Sequence, residues 1–211
     1  MSAADRRALR YAALAGLAGP LLLCGALVVL TAAQYEFMRS LGWRPLAAPT
    51  LDWPSGLALG PHGIWMTWTF IACGLLLIVF AGGLRRALGA GRAGRSGALL
   101  IALAGVAMAA LSAPTDPTLA GGPPTALGRM HDLAFAALGL TFWPGLLALA
   151  WAFRRAQWRG YAALTAVVAA LVGPAFLLKG LLFYGLLLAV LGWCVAVALR
   201  LWRLAAERAP Q

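Results

Sequence analysis

The chain has 211 residues, of which 63% are hydrophobic and only 11% are charged, and its mean hydropathy is +0.85. Soluble domains are about half apolar and about a quarter charged, so this composition excludes a soluble enzyme, a disordered protein and a secreted disulfide scaffold. The net charge of +11 comes from short arginine clusters between long apolar runs, which is typical of membrane topology rather than of a nucleic-acid-binding face.

Six apolar runs are long enough to cross a membrane, because a bilayer core of about 30 Å requires about 20 residues per helical span. In chain order they cover residues 11–33, 63–84, 97–113, 132–153, 160–178 and 180–201. One bent helix in place of the last two runs would need about 40 apolar residues, more than a bilayer accommodates in a single span. The sequence therefore predicts an all-α, polytopic integral membrane protein, with one domain over residues 1–211 and a six-helix transmembrane bundle.

Two further features belong to these predicted helices. The first apolar run follows arginines, as a signal peptide does, but it exceeds the roughly 7 to 15 residues of a signal-peptide core, so we expect a retained helix. Cys24, Cys73 and Cys194 all lie inside apolar runs without a C-x-x-C motif, and we interpret them as small apolar helix residues.

The arginines and lysines predict the orientation of the bundle. Thirteen of the seventeen lie before the first run, between the second and third, between the fourth and fifth, or at the end of the sixth. The other four are on the opposite side, namely Arg39, Arg44, Arg129 and Lys179. The positive-inside rule then predicts that both termini are cytoplasmic, which also agrees with an even number of spans.

The residues able to act as acids, bases or metal ligands are concentrated on the predicted outer side. The cytoplasmic side has Asp5 and Glu207 but no histidine, whereas both histidines and the other four acids are outside. Any site is therefore predicted to open outward, with the first outer loop, residues 34–62, as its cap and the second, residues 114–131, beside it. No ionisable residue occupies the middle of a span, which disfavours a proton transporter.

Polar residues at the predicted outer end of the bundle form the candidate pocket. They are Glu36, Arg39, Ser40, Ser55, His62, Asp116, His131, Asp132 and Lys179. Three chemistries fit this set. It could be a metal-free pocket for a lipid headgroup or a small polar ligand, in which a basic side chain meets an anion. His62, His131 and Asp116 could instead hold zinc and activate a water molecule, or the two histidines could ligate a haem.

Each of these residues also has a purely structural interpretation. His62 could be an interfacial histidine, and Asp132 could complement the dipole at the start of the fourth helix. Asp116 could form an Asx turn within Pro-Thr-Asp-Pro, and Glu36 could pair with Arg39 three residues along a helix.

Several motifs resemble a family of bacterial and archaeal six-span membrane proteins catalogued as domain of unknown function 998. The motifs are residues 53–63 (Trp-Pro-Ser-Gly-Leu-Ala-Leu-Gly-Pro-His-Gly), Phe70, Gly74, residues 83–86, Tyr35-Glu36, Ser40, residues 115–117, Gly128 and His131-Asp132. One departure is Ile64, where the family pattern would have tryptophan directly after Gly63. The resemblance implies a six-helix integral membrane protein and implies no reaction.

Together these observations predict a multi-pass protein of a bacterial plasma (inner) membrane, surrounded by lipid, with no nucleic-acid partner. We expect an outward-facing polar pocket that binds a lipid headgroup or small molecule without a cofactor. One alternative is a membrane-embedded, metal-dependent hydrolase that acts on lipid in the outer leaflet. The other alternative is a non-enzymatic scaffold or subunit.

Overall fold

The structure is a computed structural model that describes residues 2–178 and 180–207. Its elements, in chain order, are α1 (Ala3–Ala33), α2 (Tyr35–Ser40), a 3-10 helical turn (Ser55–Ala58), α3 (Gly63–Leu88), α4 (Arg92–Ala110), α5 (Ala126–Arg155), α6 (Arg159–Leu178) and α7 (Leu182–Ala206). All except α2 and the 3-10 turn are long and apolar enough to span a membrane, which confirms the prediction of six membrane helices. The candidate residue Lys179 and the basic residue Arg208 lie outside the described residues.

Helices α1, α4 and α5 each begin five or more residues before their predicted apolar runs, and at α1 and α5 polar capping residues precede the runs. At α1, the Ser2 hydroxyl accepts from the Asp5 amide at 3.1 Å, and the Asp5 carboxylate accepts from the Ser2 amide at 3.1 Å. At α5, the Thr125 hydroxyl accepts from the Gly128 amide at 3.0 Å. His131 and Asp132 consequently lie inside α5, beyond its first turn, so Asp132 does not have the helix-terminus role considered from the sequence.

The six long helices form a closed ring. Each packs against its neighbour in the chain, and α1 also packs against α7, which closes the ring. Because consecutive spans are antiparallel, the arginine clusters all come to one end, which we call the arginine end. The opposite end carries the long connections, and we call it the capped end. The positive-inside rule predicts that the arginine end faces the cytoplasm.

Glycine and alanine residues bring the helix backbones close together. Gly74 of α3 faces Gly105 of α4, and a Cβ added at Gly105 would lie 2.7 Å from the Gly74 carbonyl oxygen. Gly16 of α1 lies against Phe80 of α3 and Ala198 of α7. Lipid tails are as apolar as the helix side chains, so the hydrophobic effect does not drive helix association inside a membrane. Close contact instead supplies the dispersion energy that holds the helices together.

The first connection folds into a compact cap, defined here as residues 34–62. It contains α2, the 3-10 turn and a short antiparallel bridge between Arg44 and Ala48. Met38, Trp43 and Leu57 of the cap are buried in one hydrophobic cluster with Met66 of α3. The cap is therefore an ordered part of the bundle.

Candidate functional site

His131 lies where the cap, α5 and the segment after α4 meet. Its side chain is only 4% exposed, with Nδ1 at 2.7 Å from the Ala113 carbonyl oxygen and Nε2 at 2.9 Å from Ser55 Oγ. A carbonyl oxygen can only accept, so in the neutral ring Nδ1 donates to Ala113 and Nε2 accepts from the Ser55 hydroxyl. This tautomer places a proton acceptor against a serine hydroxyl, the relation found in nucleophile–base pairs.

Gln34 is a second buried polar centre, and it was not among the candidate residues. It follows α1 and is 3% exposed. Its Nε2 donates to the Leu57 carbonyl oxygen at 3.1 Å, and its Oε1 accepts from the His62 amide at 3.1 Å. One amide side chain thus joins the end of α1 to the cap and to the start of α3. The available sequence signal was a single amide residue directly after an apolar run.

Two aspartates organise the second outer connection. The Asp52 carboxylate accepts from the Thr118 hydroxyl at 2.6 Å and from the Thr118 amide at 3.0 Å, which joins the cap to this connection. Asp116 accepts from the Thr125 amide at 2.7 Å and from its hydroxyl at 2.8 Å. Asp116 therefore bonds to the residue nine positions later, at the start of α5, rather than forming the local Asx turn considered from the sequence.

Aromatic side chains attach the cap to α1 and α7. Trp53 Nε1 donates to Thr31 Oγ1 at 3.0 Å, and the Trp53 ring meets the Tyr184 ring edge-on with 5.0 Å between centroids. The Tyr184 hydroxyl donates to the Pro49 carbonyl oxygen at 3.4 Å. With the bonds of Gln34, these contacts fix the cap over the centre of the ring.

The other candidate residues lie at the surface of the capped end. Glu36, Arg39, Ser40, His62 and Asp132 are all exposed. Arg39 lies over the Tyr35 ring, with 5.9 Å from its Cζ to the centroid, in place of the expected pair with Glu36. The structure thus brings Ser55 and His131 together, while a polar pocket lined by the whole candidate set stays a prediction.

The proposed metal ligands are not brought together in the described part of the chain. Within residues 2–178 and 180–207, no three His, Cys, Asp or Glu side chains are grouped so that they could hold a metal ion. His62 is exposed, His131 uses both ring nitrogens within the protein, and Asp116 bonds to Thr125. The zinc and haem alternatives therefore stay predictions.

Beneath the cap, the centre of the ring contains a cavity of about 170 Å³. Every spanning helix contributes to its apolar wall, with Gly19, Phe80, Met108, Phe142, Val172 and Leu186 as one example from each. An engineered cavity of about 150 Å³ with such a lining stays dry and binds small apolar molecules, so this space suits a hydrocarbon ligand.

Helices α6 and α7 contribute several partly exposed residues to the cavity wall. The lining residues Phe176, Leu187, Val190 and Leu191 are only half-buried. At the capped end, the lining residue Phe135 lies one helical turn beyond His131. Part of the cavity wall is therefore only half-buried, and the lining reaches to within about one helical turn of His131.

A comparison with protein-family models matches residues 23–200 to the family described as "Protein of unknown function (DUF998)". No curated protein and no solved structure matches the chain. The match covers every spanning helix in whole or in part, together with the complete cap.

Proposed function

The chain belongs to the DUF998 family of proteins of unknown function, and from this premise we propose that it binds the hydrocarbon part of a membrane lipid inside the helix ring. The apolar cavity of about 170 Å³ beneath the cap carries this proposal. An almost wholly apolar wall, in which the thiols of Cys73 and Cys194 are the only side-chain hydrogen-bond donors of the described lining residues, favours an apolar ligand segment, since a buried unpaired polar group costs free energy. The ligand's polar headgroup would lie at the capped end, near exposed residues such as Glu36, Arg39 and Asp132.

A lateral route would deliver such a ligand. The lining residues Phe176, Leu187, Val190 and Leu191 of α6 and α7 are only half-buried, so we place the entry of the ligand there. An acyl or isoprenoid chain could enter the cavity there without crossing water. Entry along the axis of the bundle from the capped end would be blocked by the cap. The positive-inside rule places the capped end outside, so the lipid would come from the outer leaflet.

Leucine at Ala15 is expected to exclude the ligand, because Ala15 is buried and lines the cavity. The larger side chain takes up space that the hydrocarbon would occupy. Native mass spectrometry of protein released from a mild detergent should detect a retained lipid on the wild-type chain. We expect at least about a tenfold smaller bound fraction on Ala15→Leu, because filling the space removes apolar contact area.

The matched control is Ala18→Leu, the same substitution at an exposed position of the same helix. It adds equal apolar bulk on the outer surface and should leave the bound fraction unchanged. Equal retention by both variants, or a wild-type chain that carries no apolar molecule even after addition of lipid, would contradict the proposal.

A second candidate function, hydrolysis of a lipid ester, is favoured by the contact of Ser55 with His131 Nε2 at 2.9 Å. The Ser55 hydroxyl would pass its proton to Nε2 while Oγ bonds to the ester carbonyl carbon. The carbon–oxygen bond to the alcohol would then break, and the alkoxide would take the proton from His131. Water, deprotonated by the same nitrogen, would then attack the acyl carbon; the bond to Ser55 Oγ would break, Oγ would take the proton back from His131, and the acid would be released.

A fluorophosphonate probe tests this candidate, since it phosphonylates activated serines. We expect a single adduct on Ser55 by peptide mapping, and at least about 100-fold slower labelling of His131→Gln, in line with the contribution of a general base. Glutamine can still hydrogen bond to Ser55 and Ala113 but is not a base. Absence of a Ser55 adduct on the folded wild-type chain would dismiss hydrolysis and leave the lipid-binding proposal intact.

A further inference from the structure

The arginine end carries a groove between α5 and α6 that is separate from the capped cavity. It has a volume of about 890 Å³. Its basic part is formed by Arg154 and Arg155 in the last turn of α5 and by Arg159 at the start of α6, with Gln157 in the turn between them. Three guanidinium groups from two helices thus surround one concave surface.

The groove has no acidic side chain among its lining residues. Of the acids at this end, Asp5 bonds to Ser2 and Glu207 pairs with Arg200 at 3.3 Å. The three arginines of the groove therefore keep a positive field that nothing in the lining neutralises. Guanidinium groups bind phosphate through paired N–H donors, so an anion with phosphate geometry fits this field.

Trp151 connects the basic part of the groove to its apolar part. Its ring lies against Arg155 and Arg154, with 5.2 Å and 5.8 Å from the Cζ atoms to the centroid. The side chain is 49% exposed, at the level where amphipathic indole rings meet lipid headgroups. The contacts with Trp151 hold the two guanidinium groups beside the groove.

The apolar part of the groove follows the two helices toward the middle of the membrane. It is lined by Leu147 and Ala150 of α5 and by Ala162, Ala163 and Ala166 of α6. The small alanine side chains leave a furrow along α6. An extended hydrocarbon chain fits a furrow that begins at a cluster of cations.

From this arrangement we infer that the groove binds an anionic phospholipid of the leaflet at the arginine end, with its phosphate between Arg154, Arg155 and Arg159 and an acyl chain along the alanine furrow. Basic pockets between membrane helices on the cytoplasmic side are suited to such headgroups. The amphipathic shape favours a lipid over free phosphate, which would use only the arginine part. This site does not depend on the function proposed for the capped cavity.

Titration of the full chain in a neutral detergent with phosphatidylglycerol, followed by native mass spectrometry, tests the inference. The groove variant combines Arg154→Gln, Arg155→Gln and Arg159→Gln. The control variant combines Arg85→Gln, Arg86→Gln and Arg92→Gln, which removes the same charge from the same end outside the groove. We expect the groove variant to bind the first phosphatidylglycerol molecule at least about tenfold more weakly than the wild type, because each base near the headgroup contributes to anionic-lipid binding. The control variant should bind it less than about twofold more weakly, because its substituted arginines lie outside the groove.

Equal losses in the two variants would overturn the inference, because they would indicate attraction by net charge alone. Tight binding of phosphatidylcholine by the wild type would also overturn it. Competition by millimolar inorganic phosphate that fully releases the lipid would show a phosphate site without a lipid furrow, which contradicts the assignment to a phospholipid.

A second variant tests the furrow without removing charge. Ala163→Phe with Ala166→Phe fills it at exposed positions, where larger side chains do not disturb the core. We expect at least about tenfold weaker phosphatidylglycerol binding, because apolar contact area is lost. Ala170→Phe, at an exposed position of α6 outside the groove, serves as its control. Unchanged lipid binding by the furrow-filled protein would overturn the inference even if the arginine variants fail to fold.

Discussion

Alanine at Gly74 is expected to lower the free energy of unfolding by about 3 kcal/mol, the upper part of the usual range for overpacking. A Cβ there would lie 2.7 Å from the Ala109 amide nitrogen and would also collide with the Gly105 carbonyl oxygen. Both obstacles are backbone atoms of α4, which cannot rotate aside. The helices would have to separate, and close packing is what holds them together. Unfolding by sodium dodecyl sulfate in mixed micelles would measure the loss.

Gly82→Ala is the matched control for this experiment. It makes the same change in the same helix, but the Cβ would have only the end of the Arg86 side chain in contact, at 3.7 Å. We expect a neutral or slightly stabilising effect, because alanine has a higher helix propensity than glycine. Equal destabilisation by the two substitutions would show that the α3–α4 contact is looser than the structure has it.

His131→Ala is expected to lower the free energy of unfolding by about 3 kcal/mol, since it combines two losses. The Ala113 carbonyl group and the Ser55 hydroxyl both lose a partner. The buried imidazole also leaves an empty space at the junction of the cap and α5. The cap should become accessible before the helices separate, so limited proteolysis should cut within residues 41–54 earlier than in the wild type.

His62→Ala is the control, because it removes the second histidine, which is exposed and lies at the edge of the same end. The main chain of His62, not its imidazole, makes the bond to Gln34. Its stability and its proteolysis pattern should therefore match those of the wild type to within about 0.5 kcal/mol. Cap cleavage at the same rate in both histidine variants would refute the role assigned to the Ser55–His131–Ala113 contact.

The number and approximate positions of the spans could be predicted because apolar length is a local property of the chain. The exact helix starts could not, since the first turns of α1 and α5 are stabilised by Ser2 and Thr125, which precede the apolar residues. The short helix α2 was not predicted as a separate element for a related reason. Its six residues have no apolar run of their own, and packing of Met38 in the cap cluster stabilises them.

The candidate site was predictable as a set of residues on one side but not as a geometry. Assigning the loops to two ends of the bundle correctly predicted that Ser55 and His131 lie at the same end. Their contact, however, joins positions 76 residues apart, which that assignment does not predict. Asp52 meets Thr118 across 66 residues. Gln34 was not predicted as a candidate residue, because an uncharged amide does not indicate acid, base or metal-ligand chemistry. Its two side-chain hydrogen bonds nevertheless stabilise the start of the cap.

The sequence by itself determined that this is a six-span membrane protein and at which end of the bundle most of its titratable groups lie, because hydrophobic length and charge distribution act residue by residue. Only the tertiary structure decided that the helices close into a ring around an apolar cavity, that the first loop is a pinned cap, and which polar groups meet beneath it. These features depend on how close segments lie in space when they are far apart in the sequence. Hydrogen bonds and close packing act over a few ångströms, and the spacing of residues along a chain does not encode such distances.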